Sequence, residues 1–256
     1  MKQQIFIGWE RGNMKPLYWI LVILCTCILT SCNGAPHNNS ESVDTSNSMF
    51  YDGSDADDAS SGWVDVQIFS DTLIYRTYFS ESEEKIAVEK STDGGQSWSK
   101  NFVSYKEYGY GINEVYISFI NELEGYLLYC GSPGAGLMNE VIFKTIDGGK
   151  TFSEIADIST QISNYPNGME FLTSEIGYIT VTYHGHNVFF YQTNDGGKTW
   201  FEQSIALPSM DYSYAQGKDL SRNEQNEIEM VVELVAVEET KTVTYYTDDG
   251  ISWKMR

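Results

Sequence analysis

The chain has 256 residues, of which 36 are acidic and 16 basic, giving a net charge of −20. So acidic a surface repels phosphate backbones and anionic lipid headgroups, which excludes nucleic acid as a partner. With four cysteines and three histidines there is no CxxC pair and no set of ligands spaced for a metal, so no metal and no other cofactor is expected.

At the N-terminus, Lys2, Arg11 and Lys15 precede an apolar run from Leu17 to Thr30, followed by Ser31 and Cys32. The run of 14 residues is shorter than the roughly 20 that a helix needs to cross hydrocarbon. Basic residues, an apolar stretch and then small residues form the layout of an export signal. Leu29-Thr30-Ser31-Cys32 resembles the lipobox of bacterial lipoproteins, which implies cleavage before Cys32 and a diacylglycerol on its thiol. The expectation is a signal peptide over residues 1–31 and an exported protein, lipid-anchored to the cell envelope and facing outside the cytoplasm. Cleavage removes three basic residues and one acidic residue, so the mature net charge is −22. Membrane attachment therefore comes from lipid, and a doubly or triply acylated cysteine anchors firmly where a single chain does not.

Residues 32–62 start at the acylated cysteine and are otherwise rich in Ser, Asn, Asp and Gly, with too little apolar surface to fold. They read as a flexible spacer. Asp52, Asp55, Asp57 and Asp58 lack the spacing of an EF-hand loop. Cys25 and Cys27 leave with the signal, and Cys130 sits among Tyr126, Leu127, Leu128 and Tyr129. That setting favours a buried structural thiol over a nucleophile.

From residue 63 to 256 one unit recurs. Ser91-Thr92-Asp93-Gly94-Gly95-Gln96-Ser97-Trp98 returns as Thr145 to Phe152, as Thr193 to Trp200 and, more weakly, as Tyr246 to Trp253. The steps between Asp93, Asp147, Asp195 and Asp248 are 54, 48 and 53 residues, a period typical of repeat architectures. Each residue type has a physical reason to be there. The aspartate accepts hydrogen bonds from backbone N–H groups just downstream, the second glycine (Gly95, Gly149, Gly197, Gly250) takes the left-handed conformation, and the aromatic (Trp98, Phe152, Trp200, Trp253) caps the hairpin. The fourth copy has Tyr246 where the others have Ser or Thr. This pattern resembles the Asp-box, or BNR, repeat of sialidases and related propellers, in which the box is structural and its aspartates are not catalytic. Phe119 stands six residues before Gly125-Tyr126, and Phe171 six before Gly177-Tyr178. With the boxes, this resembles the repeat of the photosystem II assembly and stability propellers and their non-photosynthetic relatives.

Within a repeat the β-rich runs come in fours. In the first they lie near 64–69, 73–79, 85–90 and 97–103, and in the third near 169–172, 177–183, 188–193 and 199–205. Four antiparallel strands in about 50 residues make one propeller blade. The expected fold is therefore all-β, a small β-propeller of about four four-stranded blades. Only Ser252 to Arg256 remain for the last outer strand, so either an N-terminal segment completes that blade or its edge stays open.

Sialidases hold the substrate carboxylate with three arginines, and beyond the signal this chain has only Arg76, Arg222 and Arg256. Tyr75-Arg76-Thr77 resembles the motif of the first of these but lacks the proline that follows it. Other glycosidases need two facing carboxyl groups, which so acidic a chain neither supports nor excludes. His184-Gly185-His186 falls on a hairpin turn. Tyrosines recur on the links between blades: Tyr105, Tyr108 and Tyr110, then Tyr165, then Tyr212 and Tyr214. In a four-stranded blade these links open on the same face as the turn between the second and third strands, away from the Asp-box hairpins. Such rings suit sugar stacking and protein hot spots, and equally suit packing between blades. The expected function is a protein- or glycan-binding or assembly module without catalytic residues, and the alternative is a glycan hydrolase.

Overall fold

The computed structural model describes residues 64–80, 82–104, 111–134, 138–183, 185–205, 207, 212–237 and 239–256. The export signal, Cys32, the spacer and Tyr105, Tyr108 and Tyr110 lie outside them. Among the described residues every regular element is a strand, and no helix is long and apolar enough to cross a membrane.

Sixteen strands form four antiparallel sheets in which sequence order is spatial order. Blade 1 is β1 (Val64–Ile68), β2 (Ile74–Ser80), β3 (Lys85–Ser91) and β4 (Ser99–Val103). Blade 2 is β5 (Ile112–Phe119), β6 (Gly125–Gly131), β7 (Glu140–Thr145) and β8 (Ser153–Asp157). Blade 3 is β9 (Tyr165–Phe171), β10 (Gly177–Thr182), β11 (Val188–Thr193) and β12 (Phe201–Ile205). Blade 4 is β13 (Tyr214–Arg222), β14 (Ile228–Val235), β15 (Thr240–Thr247) and β16 (Lys254–Met255). The first strands follow one another around the axis, β1 beside β5, β5 beside β9 and β9 beside β13. This is the expected four-bladed propeller. The outer strand of blade 4 is as short as the remaining chain suggested, pairing only through Tyr245↔Met255 and Tyr246↔Lys254.

Three buried clusters fill the three junctions between successive blades. The strand patterns follow from that arrangement. In blade 2, covered on both sides, all of β6 is buried, whereas β14 of blade 4 alternates, with Ile228, Met230, Val232 and Leu234 inward and Glu229, Val231, Glu233 and Val235 half-exposed. A strand with one covered face shows a period of two, and a strand with both faces covered does not.

The Phe-x5-Gly-Tyr element is a staple between blades. Phe119 lies opposite Gly125, and Phe171 opposite Gly177. A Cβ on Gly125 would come within 2.6 Å of the Phe119 ring, and one on Gly177 within 2.7 Å of Phe171. Bare glycine thus lets each ring lie flat, where Tyr75 stacks on Phe119 and Tyr126 on Phe171, both at 3.6 Å between centroids. The tyrosine hydroxyls reach into the next blade, Tyr75 donating to the Glu122 carbonyl at 3.0 Å and Tyr126 to the Ser174 carbonyl at 2.8 Å. In blade 4 Arg222 faces Ile228 at the equivalent place, and its guanidinium donates to the Phe171 and Leu172 carbonyls.

The boxes close the hairpins between third and fourth strands. In the second, Asp147 Oδ1 accepts from the Thr151 N–H at 2.9 Å and Oδ2 from its hydroxyl at 2.6 Å, while Thr145 Oγ1 accepts from the Gly149 N–H at 3.0 Å. Asp93 and Asp195 repeat that geometry within 0.2 Å. Both glycines of each of the first three boxes have φ between 72° and 89°. These bonds hold the Asp93 and Asp147 carboxyls down at about 2. The fourth box corrects the sequence reading by one residue. Its carboxylate is Asp249, which accepts from the Ile251 and Ser252 N–H groups at 2.8 Å, and its first hydroxyl is Thr247, which accepts from the Gly250 N–H at 3.0 Å. The turn is one residue shorter and has a single glycine, and Asp248 instead pairs with Lys254 at 3.0 Å.

Candidate functional site

Side chains cross-link the successive inner strands of the propeller. Asp65 on β1 accepts from the Ile117 N–H at 2.8 Å, and Gln67 exchanges bonds with the Phe119 backbone at 2.6 and 3.1 Å. At the same level Ser118 on β5 donates to Glu170 on β9 at 2.8 Å and accepts from the Phe171 N–H at 2.8 Å. Arg222 on β13 lies 3.7 Å from that carboxylate. These contacts link β1 to β5, β5 to β9 and β9 to β13.

The three arginines do not converge. Arg76 pairs with Glu89 at 2.5 Å and stacks on Trp98 at 3.9 Å, Arg222 faces Glu170, and Arg256 pairs with Glu227 and Glu229. Each guanidinium is committed to its own carboxylates, so no triad is available for a substrate carboxylate.

Open space lies on the rim between blades 2 and 3. A cavity of about 250 Å³ is lined by Met138, Glu140, Ser159, Ile162, Ser163, Asn164 and Tyr165. Met138 lies in the turn between β6 and β7, residues 158–164 form the link from β8 to β9, and Tyr165 opens β9. The face expected to collect these two kinds of segment does so here. Asn164, in the left-handed region at φ 71°, also borders a neighbouring cavity of about 100 Å³ with Val181, Tyr183, Phe189, Tyr191 and Glu202. The link is held by Ser159, whose Oγ accepts from the Glu140 N–H at 3.0 Å, and by Tyr191, whose hydroxyl accepts from the Ser163 N–H at 2.9 Å.

Glu140 is the chemically distinctive wall residue. Glu114, Cys130 and Glu140 face one another across β5, β6 and β7. Glu140 is 1% exposed, and its Oε2 has no hydrogen-bond partner. Burial, with the nearby Asp157 charge adding, pushes its carboxyl up to about 8, so it carries a proton at neutral pH. Burial and Asp65 push Glu114 up to about 7. The Cys130 thiol is fully buried and driven well above its ordinary value by desolvation and then by Glu140 and Glu114, which makes it an inert core group, as expected.

Of the tyrosines considered from sequence, Tyr165 lines the cavity and is 40% exposed. Tyr212 packs against the cluster between blades 3 and 4, and Tyr214 is half-buried at the start of β13 opposite Val235. The described tyrosines therefore form one exposed ring at a cavity and two packed ones. Gly185, in the turn with His186, bridges to Ala215 of the next blade, and no cluster of three or more potential metal ligands occurs among the described residues. Glu140, Ser159, Ser163 and Asn164 were not singled out from sequence. For Ser159, Ser163 and Asn164 the one local signal was their position on a link that opens on the tyrosine-bearing face; Glu140, the first residue of β7, carried none.

The model of the BNR/Asp-box repeat matches residues 89–100, around the first box. No curated protein matches the sequence. Among solved structures, the chain is similar to the Penicillium chrysogenum alpha-L-arabinanase complexed with arabinobiose, with 15% identity, 75% of this chain and 65% of that chain covered, and a TM-score of 0.50. It is also similar to the Fusarium graminearum alpha-L-arabinofuranosidase complexed with arabinobiose, with 15% identity, coverage of 75% and 65%, and a TM-score of 0.47. The NanB sialidase of Streptococcus pneumoniae follows, with 15% identity, coverage of 67% and 27%, and a TM-score of 0.42. The chain thus spans at most 65% of the length of these enzymes. At such identities the likeness is one of fold.

Proposed function

We propose that the chain is a carbohydrate-binding propeller, tethered outside the cytoplasm through a lipid on Cys32, and that it binds its ligand at the rim between blades 2 and 3. The observation carrying this reading is the exposed Tyr165 ring beside a concave, polar cavity of about 250 Å³. An aromatic face covers the CH face of a sugar, while Ser159, Ser163, Asn164 and Glu140 offer donors and acceptors for its hydroxyls. A small concave site of this kind suits a sugar ring better than the broad, flatter contact of a protein partner. The test is isothermal titration of a panel of neutral and acidic oligosaccharides, with Tyr165→Ala expected to weaken binding at least about tenfold, or 1.4 kcal/mol. Unchanged binding in that variant removes the site from the account. For the tether, Cys32→Ser is expected to move the protein from the detergent phase to the aqueous phase; retention in detergent would contradict it.

A hydrolase is the second reading, favoured by the protonated carboxyl of Glu140, which has the form of a general acid. Among the described residues a single carboxyl group lines the cavity, whereas glycoside hydrolysis ordinarily needs two facing each other, so binding without turnover is preferred. Release of reducing ends from any panel member, abolished by Glu140→Gln, would reverse that preference.

A further inference from the structure

Glu140 also limits which sugars fit. Among the described residues, no lysine, arginine or histidine lines the cavity. The groups facing Glu140 are Cys130 and, beyond it, Glu114 from the strands alongside, Asp157 from β8 and Tyr165 from β9. None of them can compensate a negative charge. A carboxylate buried there would have no counter-ion, whereas a neutral carboxyl offers one donor and one acceptor. Its Oε2, buried and unpartnered, has spent neither on the protein. A ligand bringing its own carboxylate would place a second acid beside Glu140 in the same cation-free space.

Resting on the carbohydrate-binding reading above, we propose that the cavity is a subsite for an uncharged sugar residue, the Glu140 carboxyl giving its hydrogen to a sugar oxygen while Tyr165 covers one face of the ring. Uronic and sialic acids are rejected. A sugar oxygen that accepts this hydrogen bond favours the protonated form, so the carboxyl holds its proton more tightly in the complex than in the free protein. By linkage, affinity is constant below about pH 8 and falls above it, approaching tenfold per pH unit.

The experiment is titration of the full soluble domain, residues 33–256, and its variants with a panel of neutral pentose and hexose oligosaccharides and a matched panel carrying uronic or sialic acid, from pH 6 to pH 9.5. The expected result is binding confined to neutral members, weakening above about pH 8, with Glu140→Gln binding as tightly as the wild type at pH 6 and no longer responding to pH. Glu140→Leu, which fills the space without a donor, is expected to lose at least about tenfold. Equal binding of acidic members overturns the proposal, as does a Glu140→Gln variant that keeps the wild-type pH response or loses binding. If Tyr165→Ala abolishes binding while Glu140 variants behave as wild type, the subsite proposal fails and the binding reading stands. If no panel member binds, both fail.

Discussion

The carboxylates of this chain do opposite things according to what surrounds them. In the boxes, two or three donors converge on an exposed aspartate and favour its charged form; at Glu140, burial and a neighbouring acid favour the neutral form. The fourth box gives a sharp test of the first statement, because two adjacent aspartates compete for the role. Asp249→Ala, which strips two backbone donors and Thr247 of their acceptor, is expected to lower Tm measurably, whereas Asp248→Ala, which removes a surface ion pair with Lys254, is expected to leave Tm within about 1 °C. Calorimetry of the two variants checks this, and equal effects would restore the other register. Asp248 and Asp249 cannot be told apart by spacing, because the box lost one residue of its turn, and only the hydrogen bonds show which one took up the loss. Tyr165 was legible because tyrosines recur on the links between blades. Glu140 was not, since nothing local distinguishes it among 36 acidic residues until the link at 158–164 closes over it.

At the level of strands, the recurring phenylalanine and glycine are one device. The ring of Phe119 or Phe171 occupies the volume a side chain on Gly125 or Gly177 would need, and in return stacks on the tyrosine of the preceding blade. Gly177→Ala is therefore expected to cost about 1–3 kcal/mol by overpacking, or about 2–4 °C of Tm per kcal/mol for a domain of this size. Phe171→Leu in the same chain relieves the clash and is expected to recover part of that loss in a thermal melt; if the double variant is worse by the full sum of the two, the ring and the glycine are not coupled. The four-strand rhythm was readable from the boxes outward because each hairpin anchors two strands. Less readable was blade 4, where Arg222 and Ile228 replace the phenylalanine and glycine and β13 carries a register shift between Gly217 and Asp219. There the packing is made by a guanidinium on carbonyl oxygens, which the other described blades do not repeat.

For the whole molecule, the two kinds of carboxyl set the pH of greatest stability. Glu114 and Glu140 keep protons in the fold, near 7 and 8, that they release at about 4.5 when unfolded, so stability is full below pH 4.5 and is lost as pH rises toward 8. Asp93, Asp147 and Asp249, held at about 2 against an ordinary 3.8, contribute stability above pH 3.8 that is lost as pH falls toward 2. Net repulsion among the excess acids also vanishes near the isoelectric point of 4.3. Tm is thus expected to peak at about pH 4–5, and the double variant Glu114→Gln with Glu140→Gln to flatten the alkaline side of that peak. A peak at neutral pH, or an unchanged alkaline limb in the double variant, would count against these environments.

The central claim is that the working face lies at the rim between blades 2 and 3, on the side away from the Asp-box hairpins. Hydrogen–deuterium exchange of residues 33–256, with and without the tightest-binding oligosaccharide of the panel, tests it most directly. The account predicts slowed exchange confined to amides 138–140 and 159–165 and the adjoining wall at 181–183. Slowing at the box hairpins or along the inner strands β1, β5, β9 and β13, with the blade 2–3 rim unchanged, would contradict it.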